Sequence, residues 1–239
     1  KMKRKYLAAF LTLLMCSVHS FGSLSYTGSL DATDGGLEGT GFWVNDNGEP
    51  AWFPASFSWT VTDNENGTWN YLYNLDVYRA DVSHFILEAS EGNEIYPAFS
   101  ESNLLNADYP GTSYEIKTHV ASPNLEQQPN PFLPQDIYGP KFDIGDETLP
   151  EPDYTSVTIS FDSDRVPVWG DFYAKCGKTG GPDGTQNTVW NQGLITADPL
   201  DPPADGSLLG HVLVPDTVPE PATMGLMVLS GLMFLRRRL

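Results

Sequence analysis

The stretch Phe57–Val77, FSWTVTDNENGTWNYLYNLDV, decides how the chain is read. Phe57, Trp59 and Val61 alternate with Ser58, Thr60 and Thr62, and Trp69, Tyr71, Tyr73, Leu75 and Val77 alternate with mostly polar neighbours. A two-residue period puts each apolar set on one face of a strand. Between them, Asp63–Gly67 (DNENG) is a cluster of turn-forming residues, so the stretch predicts a β-hairpin. The pattern recurs outward along the chain. His84–Ala89 (HFILEA) places Phe85, Leu87 and Ala89 on one face, and Val157, Ile159 and Phe161 alternate with Thr158, Ser160 and Asp162. No stretch of helical period interrupts residues 23–216.

Strands separated by Gly, Pro and Asn-rich turns, without intervening helices, predict an all-β fold in which antiparallel sheets pack face to face, an antiparallel β-sandwich of jelly-roll type. Seven prolines between Ser122 and Pro152 argue against central strands there and predict a long ordered surface loop, or a boundary between two small domains. The predicted organisation is a signal peptide over 1–22, a β-sandwich over 23–197, a Pro/Asp-rich linker over 198–217 and a C-terminal signal over 218–239. An N-terminal signal helix and a short apolar C-terminal helix are expected to flank the domain.

The 239 residues carry a formal net charge of −18, from 13 basic and 31 acidic side chains. Seven of the basic residues, Lys1, Lys3, Arg4, Lys5 and Arg236–Arg238, lie at the two ends, so the body is more acidic than the total shows. Such a body repels nucleic acid and anionic lipid, which excludes both as expected partners. The 2 cysteines exclude a disulfide scaffold.

The ends read as addresses. A basic cluster, the apolar run Tyr6–Met15 and the short polar stretch SVHSFGS have the layout of a secretory signal peptide. At the other end, VPEPAT (Val218–Thr223) precedes an apolar run closed by Arg236, Arg237 and Arg238. Ala222–Leu235 would span only about 21 Å as a helix, against a hydrocarbon core of about 30 Å. A weak single-pass anchor is one reading of this run.

The order of Pro-Glu-Pro, short apolar segment and arginine cluster closely resembles the PEP-CTERM sorting signal of exported bacterial proteins. The resemblance implies that Pro219, Glu220 and Pro221 are the recognition motif, that Met224–Leu235 inserts transiently in the membrane, and that Arg236–Arg238 are the stop. It implies an exosortase-type processing enzyme as partner, and delivery through the inner membrane to the cell envelope, cell surface or extracellular matrix. Bacteria with such proteins commonly make exopolysaccharide, which the resemblance suggests as a second partner. Val157–Lys178, Val189–Gly193 and Ser83–Ser90 resemble a recurrent PEP-CTERM protein type that has no assigned activity.

Two stretches offer binding chemistry. In Asp162–Lys175, Trp169, Asp171 and Tyr173 would suit a glycan, because pyranose faces stack on rings while carboxylates accept hydroxyl hydrogen bonds. The same stretch reads structurally if Arg165 pairs with an aspartate and Trp169 fills the core. Asp63 and Glu65 in the DNENG loop, and the acidic stretch Asp31–Glu38, offer oxygens to calcium, although neither matches an EF-hand; a turn explains both as well. No other cofactor is expected. His84, His119 and His211 stand in none of the common catalytic motifs, so no catalytic residue is assigned and the protein is read as no enzyme. The expected role is structural or adhesive, with exopolysaccharide binding. The alternatives are a secreted carbohydrate-active hydrolase using Asp and Glu, and a calcium-dependent matrix component.

Overall fold

The computed structural model describes residues 23–40, 55–77, 81–92, 97–123, 129–145, 155–179 and 185–216. Both terminal helices expected from the sequence lie outside them, as do the signal peptide and the arginine cluster. Thirteen strands and two short 3-10 turns are found among the described residues.

The predicted hairpin is β3 (Ser56–Asp63) and β4 (Trp69–Asp76), paired antiparallel with Val61 opposite Tyr71 and Asp63 opposite Trp69. The turn is self-bonded. Asp63 Oδ1 accepts the Glu65 N–H at 2.7 Å, and Asn66 Oδ1 accepts the Thr68 N–H at 3.0 Å. Glu65 and Gly67 take φ of 58° and 89° to complete the reversal. The hairpin is the middle of a five-stranded antiparallel sheet that adds β1 (Ser25–Asp31), β6 (Leu105–Asp108) and β9 (Ser156–Ser163) in the order β1-β3-β4-β9-β6.

A six-stranded antiparallel sheet is built from β2 (Leu37–Thr40), β5 (Val82–Leu87), β7 (Ser113–His119), β8 (Ile137–Asp143), β11 (Phe172–Thr179) and β12 (Thr185–Asn191), in the order β2-β12-β11-β5-β8-β7. The remaining strands, β10 (Val166–Gly170) and β13 (Val212–Asp216), form a separate two-stranded ribbon. The hairpins β3–β4, β7–β8 and β11–β12 each stay within one sheet, and the strand order shows two antiparallel sheets without showing the jelly-roll winding expected from the sequence.

The apolar faces of the two large sheets meet in a layer of rings. Phe57 of the first sheet stacks on Phe172 of the second at a centroid distance of 3.9 Å and on Phe85 at 5.8 Å, and Phe142 lies 6.2 Å from Phe161. All five are at most 1 % exposed. The six-stranded sheet is covered on its other face too. Ile86, Tyr173 and Trp190 pack with Leu133, Ile137 and Leu194 in a second, smaller core. This is why β5 has a single exposed residue, Ser83.

Two expectations are corrected here. The proline-rich stretch does supply an interior strand, β8, between β5 and β7. Pro140 is tolerated because the β5 ladder stops at Lys141, so no bond on that side needs its missing N–H. Phe132, Leu133 and Ile137 of that stretch pack in the second core, where the Pro131 carbonyl accepts a hydrogen bond from the Tyr173 hydroxyl at 2.6 Å. Residues 198–216 of the stretch read as a linker over 198–217 also belong to the domain. Its first part runs beside β1, where Thr27 donates its N–H to Asp205 Oδ1 at 2.8 Å, and its last part is β13, with Val212, Leu213 and Val214 at most 1 % exposed. Burial of three consecutive apolar side chains outweighs the composition of the segment.

Removing the central ring tests the face-to-face packing: Phe57→Ala should lower unfolding free energy by about 3–5 kcal/mol in a denaturant titration, while Leu200→Ala, at a side chain 88 % exposed, should leave it unchanged. A Phe57→Ala loss below about 1 kcal/mol would contradict the packing described.

Candidate functional site

The chain leaves the β10–β13 ribbon and enters the six-stranded sheet through one residue, Asp171. The ribbon register pairs Gly170 with Val212, so its next rung is Asp171 beside His211. Both are buried, at 1 % and 0 % exposure. His211 Nδ1 lies 3.0 Å from Asp171 Oδ1 and 3.2 Å from Asp198 Oδ1. Asn191 fixes the carboxylate: its Nδ2 donates to Asp171 Oδ1 at 2.6 Å and to the Gly210 carbonyl at 2.8 Å, while its Oδ1 accepts the Phe172 N–H at 2.8 Å. Gly193 lies against the ring, where a Cβ would come within 2.7 Å of Cγ and Nδ1.

The hydrogen-bond pattern assigns the protons. Thr196 Oγ1 donates to the Gly193 carbonyl at 2.8 Å, so it can only accept from His211 Nε2, which lies 3.1 Å away. Nε2 therefore carries a hydrogen. Nδ1 faces carboxylate oxygens and carries one as well. His211 is a buried imidazolium. Burial opposes that charge, but hydrogen bonds to Asp171 and Asp198 outweigh it and push the pKa up to about 9. Burial also raises Asp171, against the stabilisation it receives from His211 and Asn191. Asn191 Nδ2–H and His211 Nδ1–H are both aimed at Oδ1, and each favours the carboxylate form.

Glu88, one residue beyond β5, completes the group. Burial, with the charges of Asp198 and Asp171 beside it, pushes its carboxyl up to about 9, so it holds a proton at neutral pH, and its backbone N–H donates to the Asp171 carbonyl at 2.9 Å. Glu88 and Asp198 line a cleft of about 430 Å³. Its other walls come from Glu91, Asp136 and Tyr138 on one side and Val168, Val214 and Asp216 of the ribbon on the other. A second depression, of about 600 Å³, is lined by Glu115, Lys117, His119 and Lys141. There Glu115 is paired with Lys117 at 2.7 Å and with Lys141 at 3.6 Å, and Lys141 lies 3.6 Å from Asp143 as well, which leaves little net field for a ligand.

The three residues proposed from sequence as a glycan platform do not converge on a surface. Trp169 is 3 % exposed and packs in the main core, Tyr173 is fully buried in the second core, and Asp171 is committed to His211. Trp169 belongs to the ribbon and Tyr173 to the six-stranded sheet, with the corner at Asp171 between them, so their even spacing does not put the two rings on one face, which corrects the platform expectation. The structural reading of the same stretch holds in part: Arg165 is buried, its Nε lies 3.9 Å from Asp164, and its Nη2 donates to the Pro97 carbonyl at 3.1 Å. Asp63 spends Oδ1 on its own turn, as Asp31 does for Thr33, and Glu65 is exposed. Asp162, in the same stretch, is partly buried, which would raise its carboxyl; amides of Asn106, Asn70 and Asn64 hold it lower instead.

Sequence reasoning missed Glu88 and Asp198 and treated His211 only as one of three isolated histidines. His211 and Asp171 are 40 positions apart, and no periodicity links them. Residues 217–238 match the PEP-CTERM protein-sorting motif, beginning one residue after β13 ends and spanning Pro219–Pro221 and the arginine cluster. That signal implies an exported surface protein processed by an exosortase. Neither curated proteins nor solved structures give a match.

His211 and Glu88 set the pH dependence of stability in chelated buffer. The His211 contribution is fully present below about 6.5 and is lost as pH rises through about 9. Glu88 acts in the same direction: the unfolded chain releases its proton near 4.5 and the folded chain only near 9. Melting temperature should therefore fall between pH 6.5 and 9.5, and Glu88→Gln, which mimics the protonated carboxyl, should flatten the slope. A melting temperature that is flat or rises over this interval would contradict the proton assignment.

Proposed function

We propose that this is a structural or adhesive protein of the bacterial surface or matrix, without catalytic activity, whose acidic cleft holds the hydroxyl-rich chains of exopolysaccharide. The observation that carries the reading is the convergence of Glu91, Asp136, Asp198 and Asp216 around one cleft of about 430 Å³. Carboxylates accept strong hydrogen bonds from hydroxyls and fix the orientation of a neutral polymer that offers little else to grip. An uncharged glycan also suits a body this acidic, since a polyanion would be repelled. The cleft includes Asp216, the last residue of β13, so the ligand site lies beside the point where the sorting signal begins.

One observation favours the hydrolase alternative. Glu88 retains a proton in the same cleft, as a general acid must. Release of shortened glycan by the wild-type protein, abolished by Glu88→Gln, would replace the binding reading.

The protein recovered from the surface of its host should lack Arg236–Arg238 by intact mass, whereas their retention would indicate a simple membrane anchor. The same material should be retained on the host's own exopolysaccharide, and the double variant Glu91→Gln, Asp216→Asn should weaken retention about tenfold or more. Loss of retention with a calcium chelator would add calcium to the account. Absence of retention in every buffer would sink the glycan reading.

A further inference from the structure

We propose that Asp171, Asp198 and His211, with Glu88 beside them, form a binding site for a divalent transition-metal ion of the zinc type. The donors come from three separate places in the fold: the corner before β11, the loop after β12, and the rung before β13. One ligand atom from each lies within 4.8 Å of the others. An ion about 2.0 Å from each donor of a tetrahedron would space those donors about 3.3 Å apart. The two shortest separations here, 3.0 and 3.2 Å from His211 Nδ1, need little change to reach that spacing.

Two further observations point to a ligand. Asp171 Oδ2 and Glu88 Oε2 are buried and receive no hydrogen bond from any conventional donor, and the Asp171 side chain is only 1 % exposed. Acceptors brought together out of water need something positive between them, and the charge that faces them is that of His211, whose Nδ1 proton an ion can replace. A cation is one answer. The second observation is the orientation of the ring. Nε2–H is committed to Thr196, which leaves Nδ1 as the ligand atom, and Asn191 holds Asp171 from the side. Imidazole and carboxylate ligands held in this way by outer hydrogen bonds are how protein zinc sites are built.

The donor set selects the ion. One imidazole with two or three carboxylate oxygens suits zinc or manganese, whereas calcium takes oxygens alone. The site therefore differs from the Asp63 and Glu65 loop considered for calcium. Access runs through Asp198, whose side chain is 41 % exposed at the cleft. The ion takes the place of the hydrogen on Nδ1 and leaves the Nε2 contact with Thr196 intact.

The test uses the full-length chain in mild detergent, stripped with chelator and dialysed against Zn²⁺ alone, with bound metal counted by mass spectrometry. One tightly held Zn²⁺ per chain is expected, and Co²⁺ in its place should give visible absorption bands of a low-symmetry nitrogen and oxygen site. Asp198→Asn, at a side chain 41 % exposed, should weaken binding about tenfold or more, and Glu65→Gln should leave it unchanged. His211→Gln should abolish the cobalt bands. Failure to bind Zn²⁺, or an Asp198→Asn variant that binds as tightly as the wild type, would overturn the proposal.

Discussion

The contact between Asp171 and His211 decides how the pieces of this fold are joined. Asp171 is the only residue between β10 and β11, so it fixes the angle at which the ribbon passes into the six-stranded sheet. His211 does the same for β13, returning after a long excursion beside β1. Removing one partner of such a buried pair leaves the other charged and unpaired, the more costly error. The surrounding groups follow from that need. Asn191 supplies a donor to the carboxylate, Thr196 an acceptor to the imidazolium, and Gly193 leaves room for the ring.

Around this joint the stability is of the ordinary hydrophobic kind. Rings from the two sheets stack in the main core, and the hydroxyls that enter it are satisfied: Tyr71 donates to the Arg165 carbonyl and Tyr73 to the Leu213 carbonyl, each at 2.9 Å. The second of these bonds ties the hairpin strand β4 to β13. Large apolar bodies with polar tips thereby let one sheet hold the ribbon while both tyrosine hydroxyls stay paired. The acidic cleft opens where ribbon and sheet meet, so the same corner that needs the ion pair also creates the proposed site.

Much of this was legible in local pattern. The hairpin Phe57–Val77 could be read because its turn, its alternation and its partner strand are all within a span of 21 residues. The faces of β5 and β9 were readable for the same reason. What failed was composition used as a proxy for exposure. Seven prolines suggested a surface loop, yet Ile137, Phe142 and Ile144 among them are buried, and one strand accommodates its proline where the ladder ends. DPLDPPAD suggested a linker, yet Val212–Val214 just beyond it is a buried strand. The site was illegible for a different reason. Glu88, Asp171, Asp198 and His211 are brought together only by the order of strands in the sheets, and 31 acidic residues give no means of choosing those three from sequence.

The protonation of His211 is the point on which joint and cleft both rest, and it can be read directly. Nitrogen-15 NMR of the imidazole in metal-stripped protein at neutral pH should show both ring nitrogens protonated, with Nδ1–H coupled to a carboxylate and Nε2–H to Thr196. A neutral ring with one bare nitrogen under the same conditions would contradict the account.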